Sequence, residues 1–366
     1  MAVNPFQALT PKKFVGIDVG TYYIKIVEIS KFGNRLKLEN YGSIPASALY
    51  EKPFRTFEKN TLLLSSQDVS RAIKAIMEEA KIKTRKAILS IPDFCSFFTN
   101  FELPSMKKEE LPQAIRYEAK QHVPMHLGGV TLDWDVIEGE EKTGKEKIVS
   151  NLKILLVAVP NEVINQYKEI GRLAGLELVG QEVEVFSLMR GLTRGDEKVP
   201  VAIIDVGAQS TTCSIIDQRV LKMSHSFDVS GNEFTRVIAK GLNVDYLEAE
   251  RLKKNYGVLF SGGGDITSRE IKEVIIPLID MIIVEMDKIF NNFYNMAGRE
   301  VGKVIVAGGT VLMPNFKEYL SERLLKPVEI ADPFFNIFYP PILDTTLKEM
   351  GPSYAIAVGA ALRGLQ

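Results

Sequence analysis

Chemistry that depends on histidine or cysteine has little to work with here: the 366 residues include three histidines and two cysteines. A His-based nucleophile pair or a Cys/His metal cage needs several such groups within reach of one another. His122 and His126 stand four apart, but Pro124 lies between them and no Cys or acidic cluster completes a site. Cys95 and Cys213 are distant in sequence, which fits a reducing compartment better than a disulfide framework. An excess of one charge is missing too. Lys plus Arg is 45 and Asp plus Glu is 46, a net charge of −1, so nothing electrostatic argues for nucleic acid or an acidic membrane surface. No run of about 18 apolar residues is present to span a bilayer. The most apolar helix candidate, "VIIPLIDMIIVEM", is interrupted by Pro277, Asp280 and Glu285. The opening residues lack the charged-then-apolar pattern of a signal peptide.

What is present is an ordinary globular composition, 46% apolar and 25% charged, in a chain long enough for two domains. The tetrapeptide "IDVG" occurs at Ile17–Gly20 and again at Ile204–Gly207, half a chain apart and each time between apolar runs. The first copy opens a pattern of three strands. Val15, Ile17 and Val19 alternate with smaller or polar residues, "YIKIVEIS" returns, and "RLKLENYGSIP" follows after the hairpin signal Gly33-Asn34. Next come a helix with Val69, Ile73, Ile76 and Ala80 on one face, N-capped at Ser66 or Asp68, and the strand "KAILSIP". Residues 93–180 change character to β-α-β-β-α, with the charged tip "EEKTGKEK" between two strands and a helix ended by Gly175. From "VPVAIIDVGAQSTTCSIID" the opening pattern restarts. Helices follow over "GNEFTRVIAKGL", "DYLEAERLKKNYG" and a long stretch with a break expected at Pro277. The end reads as strand, Gly308-Gly309 turn and helix, then "PVEIADPF" and a closing helix "PSYAIAVGAALRG".

Each Asp-Val-Gly turn can do one physical job. Gly20 and Gly207 permit a tight turn, and the amides of such a turn form an anion cradle. Asp18 and Asp205, at strand ends, can hold Mg²⁺ mostly through water. Thr21, Ser210 and Thr211 offer hydroxyls. A lone Asp-x-Gly after a strand is usually only a hairpin turn. Two in matching contexts, facing each other, would grip a polyphosphate, and Gly308-Gly309 would lie flat against a purine and ribose. "SGGGD" at Ser261–Asp265 lacks the Lys-Ser/Thr of a P-loop and reads as a loop.

The order of these elements resembles the actin, Hsp70 and sugar-kinase ATPase superfamily. Asp18–Thr21 is similar to its first phosphate motif, Asp205–Ala208 to its second, and Ala307–Gly309 to its adenosine motif. "QEVEVFSLMRG" and "YAIAVGAALRG" resemble the two connector helices. Within the superfamily, three stretches resemble the PilM family of type IV pilus assembly: "FVGIDVGTYYIKIVEI", "LPSMKKEELPQAIRYEAKQHVPMHLGGVTLDWDVIEG" and "KILLVAVPNEVINQYKEIGRLAGLELVGQEVEVFSLMRG".

The resemblance implies an α/β actin-like ATPase fold: duplicated ribonuclease-H-like domains with an inserted β-α-β-β-α subdomain. Subdomain 1A would be 12–92, resumed at the connector 181–199 and the closing helix 344–366. Subdomain 1C would be 93–180, 2A would be 200–228 plus 300–343, and 2B would be 229–299. Asp18 and Asp205 would organise Mg²⁺, with Gly20, Thr21, Gly207 and Ala208 around the phosphates of ATP. Lys25 would face a phosphate, unless it is merely a solvated strand lysine. Glu184 would position the attacking water, with Glu182 its competitor by register. Glu250 and Lys253 would flank ribose and base, or form an ordinary charged helix face. Tyr22, Tyr23 and Gln209 are bulkier than the usual residues at these turns, which implies slow or absent hydrolysis. The implied role is a cytoplasmic ATP-binding scaffold, held at the inner membrane by a partner. That partner would be the cytoplasmic N-terminal tail of a PilN-like bitopic protein, bound as an extended peptide between 1A and 1C. Phe97, Phe98 and Phe101 would be core residues or line that groove. Other pilus-assembly components would join, with no nucleic acid and no direct membrane insertion. An FtsA-like division protein would be expected to continue into an amphipathic helix beyond "AALRGLQ". A small-metabolite kinase would need a substrate pocket with a catalytic base, for which the inserted segment shows no Asp-centred motif.

Overall fold

The computed structural model describes residues 11–48, 57–58, 61–62, 65–138, 151–258 and 266–366. The charged tip and the Ser261–Asp265 loop lie outside these described residues.

Two five-stranded sheets repeat one topology. In the first, β1 (Lys12–Val19), β2 (Tyr23–Phe32) and β3 (Arg35–Pro45) form an antiparallel meander. A short ribbon follows, β4 (Phe57–Glu58) with β5 (Thr61–Leu62). The helix α1 (Ser66–Glu79) is capped by Ser65, whose side chain accepts from the Asp68 N–H, one residue before the expected start. β6 (Lys86–Ile91) then adds parallel to β1.

The insert follows. β7 (Phe97–Leu103), α2 (Leu111–His122), β8 (Val130–Glu138) and β9 (Leu152–Pro160) make a three-stranded sheet, β7-β9-β8, under α2. These share a small core of their own that includes Phe101, Leu111, Ile115 and Ile154. α3 (Asn161–Ala174) ends at Gly175 in the left-handed conformation, φ 72°. It packs not there but in the main core, through Tyr167 and Ile170. Phe101 is buried, and Phe97 and Phe98 pack partly buried against the two cores. His122 stacks on Phe101 at 5.0 Å, and His126 accepts from the Gly128 N–H.

One expected helix is shorter than its pattern. Gln181–Val183 belongs to a strand, β10 (Glu177–Val183), parallel to β6, and α4 begins only at Glu184 (Glu184–Leu192). The period-2 stretch runs without a turn residue into the helical one, so the sequence carries no mark of the boundary.

The second sheet restates the first, with β11 (Val201–Val206), β12 (Thr211–Asp217) and β13 (Val220–Phe227) as meander. α5 (Gly231–Leu242), α6 (Tyr246–Tyr256) and α7 (Ile266–Ala297) follow. α7 runs unbroken through Pro277, against the expected break. β14 (Lys303–Ala307), α8 (Phe316–Leu324), β15 (Val328–Ile330) and α9 (Asp344–Gly364) complete the chain. The sheet orders β3-β2-β1-β6-β10 and β13-β12-β11-β14-β15 are equivalent.

α4 and α9 join the halves. They cross so closely that a Cβ on Gly359 would sit 1.9 Å from the Ser187 carbonyl oxygen. One core runs from Ile17 and Leu89 in the first sheet, through Val185 and Leu188 of α4 and Ala355 of α9, to Ile203 and Ile305 in the second. Burying such side chains at about 25 cal/mol per Å² holds the halves at a fixed hinge.

Candidate functional site

The carboxyl ends of β1, β6, β11 and β14 point into one cleft, where open α/β sheets place ligands. It holds a cavity of about 440 Å³, within the range of about 300–1,000 Å³ usual for small-molecule sites.

The two repeated turns are built alike. The Gly20 N–H donates to the Tyr23 carbonyl at 3.1 Å, and the Gly207 N–H to the Ser210 carbonyl at 3.0 Å. Those two amides close the turns, and the turns line the cavity with Gly20, Thr21, Tyr22 and Tyr23 on one wall and Gly207, Ala208, Gln209 and Ser210 on the other.

Register sets what lies beside each aspartate. Lys25 is directly opposite Asp18, with Nζ 3.0 Å from Oδ2. Burial opposes the lysine charge, but Asp18 and Asp205 outweigh it and hold Lys25 above its ordinary value. Lys25 is thus an internal counter-ion, not a solvated strand lysine. Thr212 is opposite Asp205 and lines the cavity. Thr211 is opposite Val206 and faces away, its hydroxyl donating to the Val229 carbonyl at 2.5 Å. Of the hydroxyls proposed from the sequence, Thr211 is therefore the one the fold keeps out of the cleft.

The floor is acidic. Burial pushes Asp205 up to about 6, with Asp18 adding to the rise and Lys25 opposing it. Burial, then Asp93, Asp18 and Asp205, raise Glu184 well above the carboxylate range. Glu184 accepts from the Asp93 N–H at 3.2 Å and lines the cavity. Glu182 does not. It holds Arg190 at 2.6 Å and Arg363 at 3.0 Å and accepts from Ser187 at 2.5 Å, riveting β10 and α4 to α9.

On the opposite wall α6 supplies Glu250 and Lys253, together with Lys254, which sequence reading did not single out. Burial would raise Glu250, but Lys253, 2.7 Å away, and Lys254 hold it below its ordinary value. Lys253 also donates to the Gly231 carbonyl and Thr235, so it braces α6 against α5. Gly308 adopts φ 91°, a conformation for glycine; a Cβ there would meet the Val206 carbonyl oxygen at 2.4 Å. Gly309 faces open space, with nothing within 4 Å of a built Cβ. Asp93, Asn232 and Thr310 were also missed.

A divalent cation fits this donor set. Asp18 Oδ1 is buried with no hydrogen-bond partner, and Asp205 adds a second carboxylate. Two carboxylates are the kind of donor set that Mg²⁺, which keeps most of its water, uses.

A family model described as type IV pilus assembly protein PilM matches residues 16–365. The chain belongs to this family. A solved PilM–PilN type IV pilus biogenesis complex is similar with a TM-score of 0.81 at 23% identity, over 96% of this chain and 98% of that one. The ethanolamine utilization protein EutJ from Carboxydothermus hydrogenoformans follows at a TM-score of 0.59 and 17% identity, over 98% of this chain and 92% of that one. MreB5 of Spiroplasma citri, solved bound to AMPPNP, gives 0.54 at 15%, over 96% of this chain and 95% of that one. Among curated proteins, cell division protein FtsA of Staphylococcus epidermidis is 21% identical over 356 residues, 87% of this chain and 74% of the relative. The PilM-family chain thus has the actin-like ATPase fold, with duplicated halves. Among its described residues no helix is long and apolar enough to cross a membrane.

Proposed function

We propose that this PilM-family protein is a nucleotide-dependent scaffold of type IV pilus assembly, binding Mg-ATP between its two halves. One observation carries the reading. Two equivalent turns, one from each sheet, present Asp18 and Asp205 to a single cavity, closed on the third side by Gly308 and Gly309. A polyphosphate held there contacts both halves, so its binding energy biases their closure. The subdomain division given by the resemblance, with 1C at 93–180, is part of this proposal.

The partner in this reading is the cytoplasmic N-terminal tail of a PilN-like membrane protein, which would hold the scaffold at the inner membrane. The solved relative in complex with PilN supports it. Strand addition at the edge of β8 is not the favoured mode, because the Trp134 and Val136 N–H groups already donate to the Asp133 and Asp135 carboxylates at 3.0 and 2.9 Å.

Calorimetry tests the nucleotide step. Mg-ATP binds the wild type, and Asp205→Ala or EDTA weakens it by about tenfold or more, the loss expected for one charge-assisted contact of about 1.4 kcal/mol. Wild-type protein that takes up no Mg-ATP overturns the reading.

A further inference from the structure

α4 opens without a cap of its own. The residue before it is Val183, whose side chain accepts nothing. The cap comes from far upstream in sequence: the Asp93 carboxylate accepts from the Val185 N–H at 3.0 Å. In return the Asp93 N–H donates to Glu184 Oε2 at 3.2 Å. This reciprocal arrangement is a capping box assembled from two segments, the turn Asp93–Cys95 and the start of α4. Asp93 is 2% exposed. Its neighbours Pro92 and Phe94 line the cavity, and it does not. Its second oxygen, Oδ2, is buried with no hydrogen-bond partner. Asp93 therefore touches Glu184 without itself lining the cavity.

A helix cap alone explains one of the two bonds. The carboxylate on the Val185 amide stabilises the helix terminus. The other bond, donated by the Asp93 backbone N–H, holds the Glu184 side chain, which would otherwise be free to sample several rotamers in the cleft, and the Asp93 carboxylate on Val185 keeps that amide in place. We propose that Asp93 is the positioning residue of the site, fixing the Glu184 carboxyl toward the terminal phosphate of the nucleotide. This rests on the nucleotide reading above. In the step concerned, a water oxygen bonds to the terminal phosphorus and the bond from phosphorus to the bridging oxygen breaks. ADP leaves with that electron pair, and the water's protons end on the released phosphate.

Asp93→Ala keeps the backbone N–H but removes the carboxylate that docks the turn on α4, so that amide is no longer held against Glu184, whereas Asp93→Asn keeps an acceptor for the Val185 amide. Two quantities are read on each variant: single-turnover hydrolysis of radiolabelled ATP with protein in excess, and the affinity ratio of ADP–aluminium fluoride over ADP. Asp93→Ala lowers both by about tenfold or more, while Mg-ATP affinity stays within about threefold, because the contact matters only around the transferring phosphate. Asp93→Asn recovers most of the loss. The double variant Asp93→Ala/Glu184→Gln is no worse than Glu184→Gln alone, since residues acting through one group are not additive. Additive losses, or an unchanged rate and ratio, overturn the proposal. So does a fall in Mg-ATP affinity matching the fall in rate, which marks a purely structural cap. Wild-type protein that binds Mg-ATP yet neither hydrolyses it nor prefers the mimic overturns this inference alone. Absence of Mg-ATP binding overturns the nucleotide reading beneath it.

Discussion

Gly308 and Gly309 are neighbours in sequence, yet one methyl group on each should have opposite consequences. On Gly308 the new Cβ lies 2.4 Å from the Val206 carbonyl oxygen and 2.7 Å from Asp205 Oδ1, at φ 91°. The left-handed strain costs about 1–2 kcal/mol. The forced displacement of β11 backbone adds about 1–3 kcal/mol. Gly308→Ala should therefore lose roughly 2–5 kcal/mol of stability, with or without nucleotide. On Gly309 the Cβ meets nothing within 4 Å, so the apo protein should change by no more than about 0.5 kcal/mol. That open space is where the proposed adenosine would lie. Gly309→Ala should then weaken Mg-ATP by about tenfold, or 1.4 kcal/mol, and lose the corresponding part of the thermal shift that ligand provides. Urea denaturation of both apo variants, and thermal shifts at fixed Mg-ATP, separate the two effects. Equal destabilisation of both apo variants would refute the steric argument. Unchanged nucleotide binding by Gly309→Ala would remove the ligand from that wall.

Three further outcomes follow from buried polar groups. Glu182→Ala leaves Arg190 and Arg363 without their shared carboxylate, so about 3 kcal/mol of stability should go while Mg-ATP affinity holds; equilibrium denaturation and calorimetry check both. Tyr167 is fully buried with an unpartnered hydroxyl, so Tyr167→Phe should melt no lower than wild type and gain up to about 1 kcal/mol; a drop of several degrees would reveal a partner for that hydroxyl. The third concerns pH. Asp93 is pushed up to about 7, chiefly by burial, and Asp205 to about 6 for the same reason. The folded state then binds more protons than the unfolded chain between about pH 4 and pH 7, so these groups make stability fall as pH rises through that window. Each unit is about 1.4 kcal/mol. The apo melting temperature should decline from pH 5.5 to 7.5 relative to Asp93→Asn, and excess Mg²⁺ should flatten the decline.

The meanders and most helices were legible because their hydrophobic periods are undisturbed and their ends carry turn residues. Gly33-Asn34 marks the β2–β3 hairpin and Gly175 stops α3, each at the residue expected. The misses have local causes. β10 runs into α4 with no Gly, Pro or capping side chain at the junction, so two periods abut and the helical pattern extends across both in the sequence. α7 passes Pro277 because tertiary packing of Ile275 and Ile279, both fully buried, outweighs one lost backbone bond. α9 begins at Asp344, the start expected for the closing helix, and runs through Gly351 and Pro352.

The site itself was legible as far as duplication reached. Asp18 and Asp205, Gly20 and Gly207 are equivalent positions, and repetition exposes what a single motif conceals. Choosing Thr212 over Thr211 required a further step, the parity of the strand after the turn. The repeat contained that step already. Lys25 is cross-strand from Asp18, and Thr212 is cross-strand from Asp205; residues directly opposite share a face. Asking what the second copy places where the first places Lys25 returns Thr212 without any structure. No such device reaches Asp93, because the equivalent strand of the second half, β14, continues into Gly308 instead. The halves diverge at that point. One strand end became a bare glycine wall for a ligand, and the other became a carboxylate that grips the connector. A role held by one half alone leaves no internal repeat to read, and only the folded chain brings Asp93 to Val185.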